Sequence, residues 1–224
     1  MKWLALFLLA GSSLHFDIID ARGHKASGVS LTESEPREDG WYQLTLTKSA
    51  KVKADVVLVW PFDGQAKMQD GPGTIPAIAI ERGDARALDN PHVVAALATP
   101  VLLGLVSLDQ RAQATGIEAT ALARAFTKLS ESADAFEKGL GLLYAKNSAD
   151  ALSPLKEAFK QRQRQLTRVP SEIYPVAMLY GQTLVEEKKF DDASVVFLIA
   201  LKQKPSDPRA LKARAEALQK AGKG

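Results

Sequence analysis

The sequence predicts a two-domain chain, a small antiparallel β-sandwich followed by an all-α domain of helical repeats. Three observations carry that prediction. Five segments rich in β-branched and aromatic residues, divided by Gly-containing turns, occupy residues 14–81. From Asp89 onward strand signals thin out, Ala and Leu dominate, and apolar residues recur at steps of three and four. Charge also divides along the chain: residues 1–133 carry 13 basic and 15 acidic side chains, whereas 134–224 carry 16 and 11.

At 224 residues the chain is long enough to bury a core without disulfide or metal staples. It has no cysteine, which excludes disulfides, thiolate catalysis and Cys-ligated metals. Its three histidines, His15, His24 and His92, are widely separated, so neither metal nor cofactor is expected. A net charge of +3 is too small to announce a nucleic-acid partner.

Residues 1–12 are expected to form a signal peptide. Lys2 supplies the charge, Trp3 to Ala10 an unbroken apolar stretch, and Ala10-Gly11-Ser12-Ser13 small residues suited to cleavage. The expected location is therefore periplasmic or extracellular. Ser12 stands where a lipoprotein box would need cysteine, so a thioether lipid is excluded. A second apolar run, Val93 to Leu108, is short for a bilayer span and is interrupted by Pro100 and Gly104. A buried helix is expected there, or two abutting helices with Asn90 and Thr99 as N-caps before Pro91 and Pro100. With the signal removed, the protein is not expected to be an integral membrane protein.

The strand-like segments are Leu14–Asp20, Gly28–Thr32, Trp41–Thr47, Lys53–Trp60 and Pro76–Glu81. Trp41, Gln43 and Thr45 alternate with Tyr42, Leu44 and Leu46, the period of a strand with two unlike faces. Arg22-Gly23, Asp39-Gly40, Asp63-Gly64 and Asp70-Gly71-Pro72-Gly73 supply the turns. Regularly spaced strands with no intervening helix predict the antiparallel sandwich, over residues 13–85. Most of the carboxylates here, among them Asp20, Glu38 and Asp39, belong to turns, and Gly71-x-Gly73 lacks the Lys-Ser/Thr of a phosphate cradle. No catalytic constellation is expected.

Asp20-x-x-Gly23, Gly28-Val29-x-Leu31 and Glu38-Asp39-Gly40-Trp41-Tyr42-x-Leu44 together resemble the carboxypeptidase-regulatory-like or prealbumin-like β-sandwich family. The stretch between Leu31 and Asp39 is shorter than that family shows. The resemblance implies a non-catalytic accessory or adhesive module. If this module binds anything, Trp41, Tyr42 and Trp60 would make it a carbohydrate or cell-surface polymer binder.

Residues 86–133 are expected to be connecting helices that act as a divergent repeat or cap. Arg82-Gly83-Asp84 is read as a chance triplet in the boundary segment. Thr115-x-x-Glu118 reads as a capping box, followed by Leu122, Phe126, Leu129, Ala133, Phe136, Leu140 and Leu143. This predicts either one long helix with a heptad seam or two helices broken near Ser130–Ser132. The flanking Ala and Gly favour packing within a domain, and a homo-oligomer stays open.

Gly181, Ala193, Phe197, Ala200 and Pro205 follow the spacing of a two-helix repeat: a small residue in the first helix, Ala-x3-Phe-x2-Ala in the second, then Pro. Over residues 134–224 the chain thereby resembles the tetratricopeptide-repeat family. Asp191 or Asp192 should cap the second helix. Leu140-Gly141-x-x-Tyr144 and Ala151-x3-Leu155-x2-Ala158 read as a preceding repeat, which places Gly141 opposite Gly181 at a 40-residue step. Pro208–Ala221 reads as a C-terminal capping helix, with Leu211 and Ala215 equivalent to Ala177 and Gly181.

The resemblance implies a concave surface that binds a protein or peptide partner. By analogy its residues are Lys138, Leu142, Lys146, Gln182, Glu186, Arg209, Lys212 and Glu216. The basic run Lys160, Arg162, Arg164 and Arg168 has no interleaved aromatics and is read as a solvated helix face. The expected function is that of a non-enzymatic exported scaffold or adaptor.

Overall fold

The structure, a computed structural model, describes the backbone of five strands between residues 15 and 80, and backbone and side chains over residues 82–164 and 173–222. The strands are β1 (His15–Asp20), β2 (Lys25–Pro36), β3 (Tyr42–Leu46), β4 (Val56–Val59) and β5 (Ile75–Ile80). They form one closed sheet in the order β1-β2-β3-β4-β5, and the described residues between 82 and 222 contain no strand. The expected β-sandwich is therefore not seen.

The physical reason is the pairing of the first and last strands. β1 runs antiparallel to β2, with Phe16 opposite Val29, and parallel to β5, with Ile18 opposite Ala77. A meander that joins its own two edges leaves no strand to build a second layer. Register breaks between Phe16 and Ile18 and between Leu31 and Ser34 supply the bending that closure needs. The expected signal segment 1–12, and Trp41, Trp60 and Arg168, lie outside the described residues, as does the side chain of Tyr42.

The chain divides into two compact units, Met1–Ala96 with Leu105–Leu122 and Leu97–Gly104 with Ala123–Gly224. In the first, Gly83 donates its N–H to the Thr115 carbonyl at 2.8 Å, and the Asp84 carboxylate caps a 3-10 turn, Ala85–Asp89, while pairing with Arg86 at 2.7 Å. The Arg-Gly-Asp triplet thus serves local folding. Helix α1 (Pro91–Leu102) is capped by Asn90, as expected, but continues through Pro100, so Thr99 starts no second helix. Pro100 stands in the last turn, where only one backbone bond is forfeited.

Helix α2 (Leu108–Thr115) opens with a reciprocal capping box between Ser107 and Gln110. It ends at Gly116 with φ +70°, where a side chain would also strike the Gly83 nitrogen. The box expected at Thr115 and Glu118 is not formed. Thr115 closes α2 instead, fully buried, with its hydroxyl donating to the Arg111 carbonyl at 2.9 Å. Arg111 is itself completely buried.

Helix α3 (Ala119–Lys128), a 3-10 turn at Leu129–Glu131 and α4 (Ala135–Tyr144) decide between one helix and two: the chain breaks at the serines, and Asp134 caps α4 through the N–H groups of Phe136 and Glu137. Phe126 and Tyr144 meet edge to face at 5.3 Å. Then follow α5 (Ser148–Arg164), α6 (Ile173–Glu186), α7 (Phe190–Gln203) and α8 (Pro208–Lys220). This part is all-helical, with successive helices packed on one another around Leu155, Phe159, Ala177, Leu184, Phe197 and Ala217. Among the described residues no helix is long and apolar enough to cross a membrane.

Two helix pairs, α4–α5 and α6–α7, repeat with a constant step of 42 residues. A Cβ on Gly139 would lie 2.6 Å from Leu155, and one on Gly181 would lie 2.5 Å from Phe197. Ala151 and Ala158 are buried in α5 as Ala193 and Ala200 are in α7. The interhelix turns match too: Lys146 (φ 61°) and Lys188 (φ 58°) both take the left-handed conformation. Asn147 and Lys189 donate their N–H groups to the Leu142 and Leu184 carbonyls at 2.9 and 2.8 Å, which makes both turns Schellman motifs.

This step corrects the sequence register. Gly139, not Gly141, is the counterpart of Gly181; Gly141 instead lets the backbone at Ser130 approach α4, 2.0 Å from where its Cβ would be. In α8 the buried positions are Ala210 and Ala217, while Leu211 is 48% exposed and Ala215 also faces solvent. Asp191 and Asp192 do not cap α7; Lys189 occupies that position without a side-chain bond, and both aspartates sit in the first turn, where they complement the helix dipole.

Candidate functional site

The all-helical unit contains a cleft of about 190 Å³, lined by Leu102, Leu143, Leu179, Lys146, Ser148, Gln182, Thr183 and Glu186. Each lining residue has a local reason to be there. Leu179, Gln182, Thr183 and Glu186 recur at steps of three and four on α6, so they share one side of that helix. Lys146 projects from the left-handed turn after α4, and Ser148 begins α5.

Some of the polar groups are already engaged. The Thr183 hydroxyl donates to the Leu179 carbonyl at 2.8 Å, and Ser148 donates to the Glu187 carboxylate at 2.9 Å. The Lys146 ammonium, the Gln182 amide and the Glu186 carboxylate make no hydrogen bond or ion pair among the described residues. An apolar floor under one cation, one anion and one amide can hold a short stretch of polypeptide: the leucines take a side chain, the amide pairs with a peptide group, and the charges select termini or charged neighbours.

Of the residues named from sequence, the structure brings Lys146, Gln182 and Glu186 together. Lys138 is exposed on α4, and Leu142 packs against the core. Arg209, Lys212 and Glu216 lie on α8, outside the cleft. There Lys212 and Glu216 form an exposed i,i+4 pair at 3.9 Å, and the Arg209 guanidinium reaches Asp207 at 3.5 Å. Lys160 and Arg164 are exposed on α5, opposite the buried Leu155 and Phe159, as a solvated face requires.

Sequence reasoning missed the floor. Leu179 could have been found, since it stands three residues before Gln182 on the same helix side. Leu102 carries no such signal, because its place in the cleft depends on long-range packing.

No family model, curated protein or solved structure matches this chain.

Proposed function

We propose that the protein is an exported, non-enzymatic adaptor whose helical array, of the tetratricopeptide type, binds a peptide segment of a protein partner. The observation that carries this reading is the cleft on α6, where unengaged Lys146, Gln182 and Glu186 rim an apolar floor. The two helix pairs with the same small-residue contacts support a repeat architecture, with α8 as its solvating end. The signal-like residues 1–12 support export. Carbohydrate binding through a β-sandwich is not proposed, since that sandwich is not seen.

The test is photo-crosslinking in the cells that make the protein, with a benzophenone amino acid in place of Gln182 or, as control, of Lys212. The reading expects a discrete protein adduct from position 182 and none from 212. Equal labelling at both positions, or none at 182, would refute it.

A further inference from the structure

One pattern occurs on α4, α6 and α8, and on the last it is left uncovered. Ala135-x3-Gly139-x2-Leu142, Ala177-x3-Gly181-x2-Leu184 and Leu211-x3-Ala215-x2-Leu218 each set a small residue between two apolar ones, along one side of a helix. On α4 and α6 the following helix seats a large side chain on the glycine: Leu155 of α5 on Gly139, and Phe197 of α7 on Gly181. On α8 Leu211 is 48% exposed, Ala215 is exposed and Leu218 is half-buried, so this side lies open among the described residues. The inner side of α8 is taken up as in α6: Ala210 and Ala217 are fully buried, like Val176 and Thr183 at the same 34-residue step.

Two helices of the chain show what covers such a side. α5 presents Asp150-Ala151-x3-Leu155-x2-Ala158 and α7 presents Asp192-Ala193-x3-Phe197-x2-Ala200, with both alanines of each buried. The alanines let the helices approach, the large residue fills the seat, and an aspartate precedes the first alanine in both. Ala215 carries one methyl more than the glycines, so its seat is shallower and the helix that fills it sits further out.

Charge agrees with that template. Asp192 of α7 is close enough to Tyr180 for its charge to add to burial in raising the tyrosine hydroxyl above its ordinary pKa. Arg214 stands on α8 where Tyr180 stands on α6, and its Nε is buried with no hydrogen-bond partner among the described residues. A cation therefore waits where a covering helix would bring its acid. A second copy of this chain fits less well. Its helices of the covering pattern already bury their alanines, and α8 laid antiparallel on α8 about Arg214 and Ala215 would bring two Arg214 cations together.

We infer that the open side of α8 docks an amphipathic helix of a partner protein, of the pattern Asp-Ala-x3-(Leu or Phe)-x2-Ala, laid on Ala215 as α7 lies on Gly181 and with its aspartate set against Arg214. None of the α8 residues involved lines the cleft on α6, so this is a second surface, and it does not rest on the peptide reading of that cleft.

The probe is a labelled peptide copying residues 187–204, with V195S and L198K to give its outer side the Ser and Lys that α5 carries there. Fluorescence anisotropy with the full chain should show binding with Kd roughly 10–100 μM, because the seat is small and a free helix must order as it docks. F197A in the peptide should weaken binding at least about tenfold, and so should A215F in the protein, which fills the seat from an exposed position and should leave the circular dichroism spectrum unchanged. R214E should weaken binding about fivefold, and D192K in the peptide should recover it. No binding up to about 1 mM, binding that A215F leaves unchanged, or no recovery in the R214E and D192K pair would overturn the inference. Self-association of the full chain that A215F abolishes would also overturn it, by giving this side of α8 to a second copy.

Discussion

The hydroxyl of Tyr174 on α6 donates a hydrogen bond to the carboxylate of Asp207, the residue that caps α8. Asp207 also accepts from the Arg209 N–H at 2.9 Å, and the Lys204 ammonium lies 4.7 Å from the centre of the Tyr174 ring. One contact therefore joins the second helix pair to the terminal helix. Burial alone would raise the Asp207 pKa; the Tyr174 bond, the Arg209 N–H and the Arg209 charge outweigh it and hold the carboxyl below its ordinary value. Burial, followed by the bond to Asp207 and its charge, pushes the Tyr174 hydroxyl well above its own.

Tyr174→Phe should cost about 1.5–3 kcal/mol at neutral pH, because the carboxylate it abandons is only 7% exposed. The pH dependence follows from the two directions. Asp207, lowered on folding, stabilises fully above about pH 3.9, and that contribution is lost as pH falls through its lower folded value. Tyr174, raised on folding, stabilises fully below about pH 10, and its contribution is lost as pH rises through its higher folded value. Urea unfolding across pH should show both limbs shallower in the variant; unchanged limbs would contradict the pairing.

Gly181→Ala should destabilise by about 1 kcal/mol, since an overpacking cost of about 1–3 kcal/mol against the Phe197 ring outweighs a helix-propensity gain of about 1. Phe197→Leu should also destabilise alone. Combined, the two should cost less than their sum by at least about 0.5 kcal/mol, because the smaller side chain makes room. Additive losses in a double-mutant cycle would deny the contact.

Lys146 and Lys188 hold the left-handed positions of two Schellman turns, where glycine is the usual occupant. Lys188→Gly should stabilise the fold by about 0.5–1 kcal/mol and leave partner capture unchanged. Lys146→Gly should stabilise similarly yet weaken capture, because it removes the cation at the cleft rim. Thermal unfolding and crosslinking on the same two proteins separate stability from binding.

The helical part was legible where the cue was local. Asn90 sits where its chemistry predicts a helix start, the serines at 130–132 mark a true break, and Gly181 with Phe197 announced a close helix pair. Misreadings arose where two local readings compete. Thr115 can cap a following helix or close the preceding one, and its burial decides for the latter. Gly141 resembles Gly181 in its motif, but the backbone that approaches it is Ser130 rather than α5. The sheet failed for a longer-range reason: strand periodicity specifies faces, while closure depends on β1 meeting β5, about 60 residues away along the chain. Of the candidate site, Lys146, Gln182 and Glu186 converge because a turn and one helix carry them, whereas α8 takes Arg209, Lys212 and Glu216 elsewhere.

The most direct test of the adaptor reading compares two triple-alanine variants in the same crosslinking capture. Replacing Lys146, Gln182 and Glu186 should abolish the partner adduct while the fold, followed by circular dichroism, persists. Replacing Arg209, Lys212 and Glu216 should leave the adduct at its original yield. Capture that survives the first set, or that disappears only with the second, would contradict the assignment of binding to the cleft on α6.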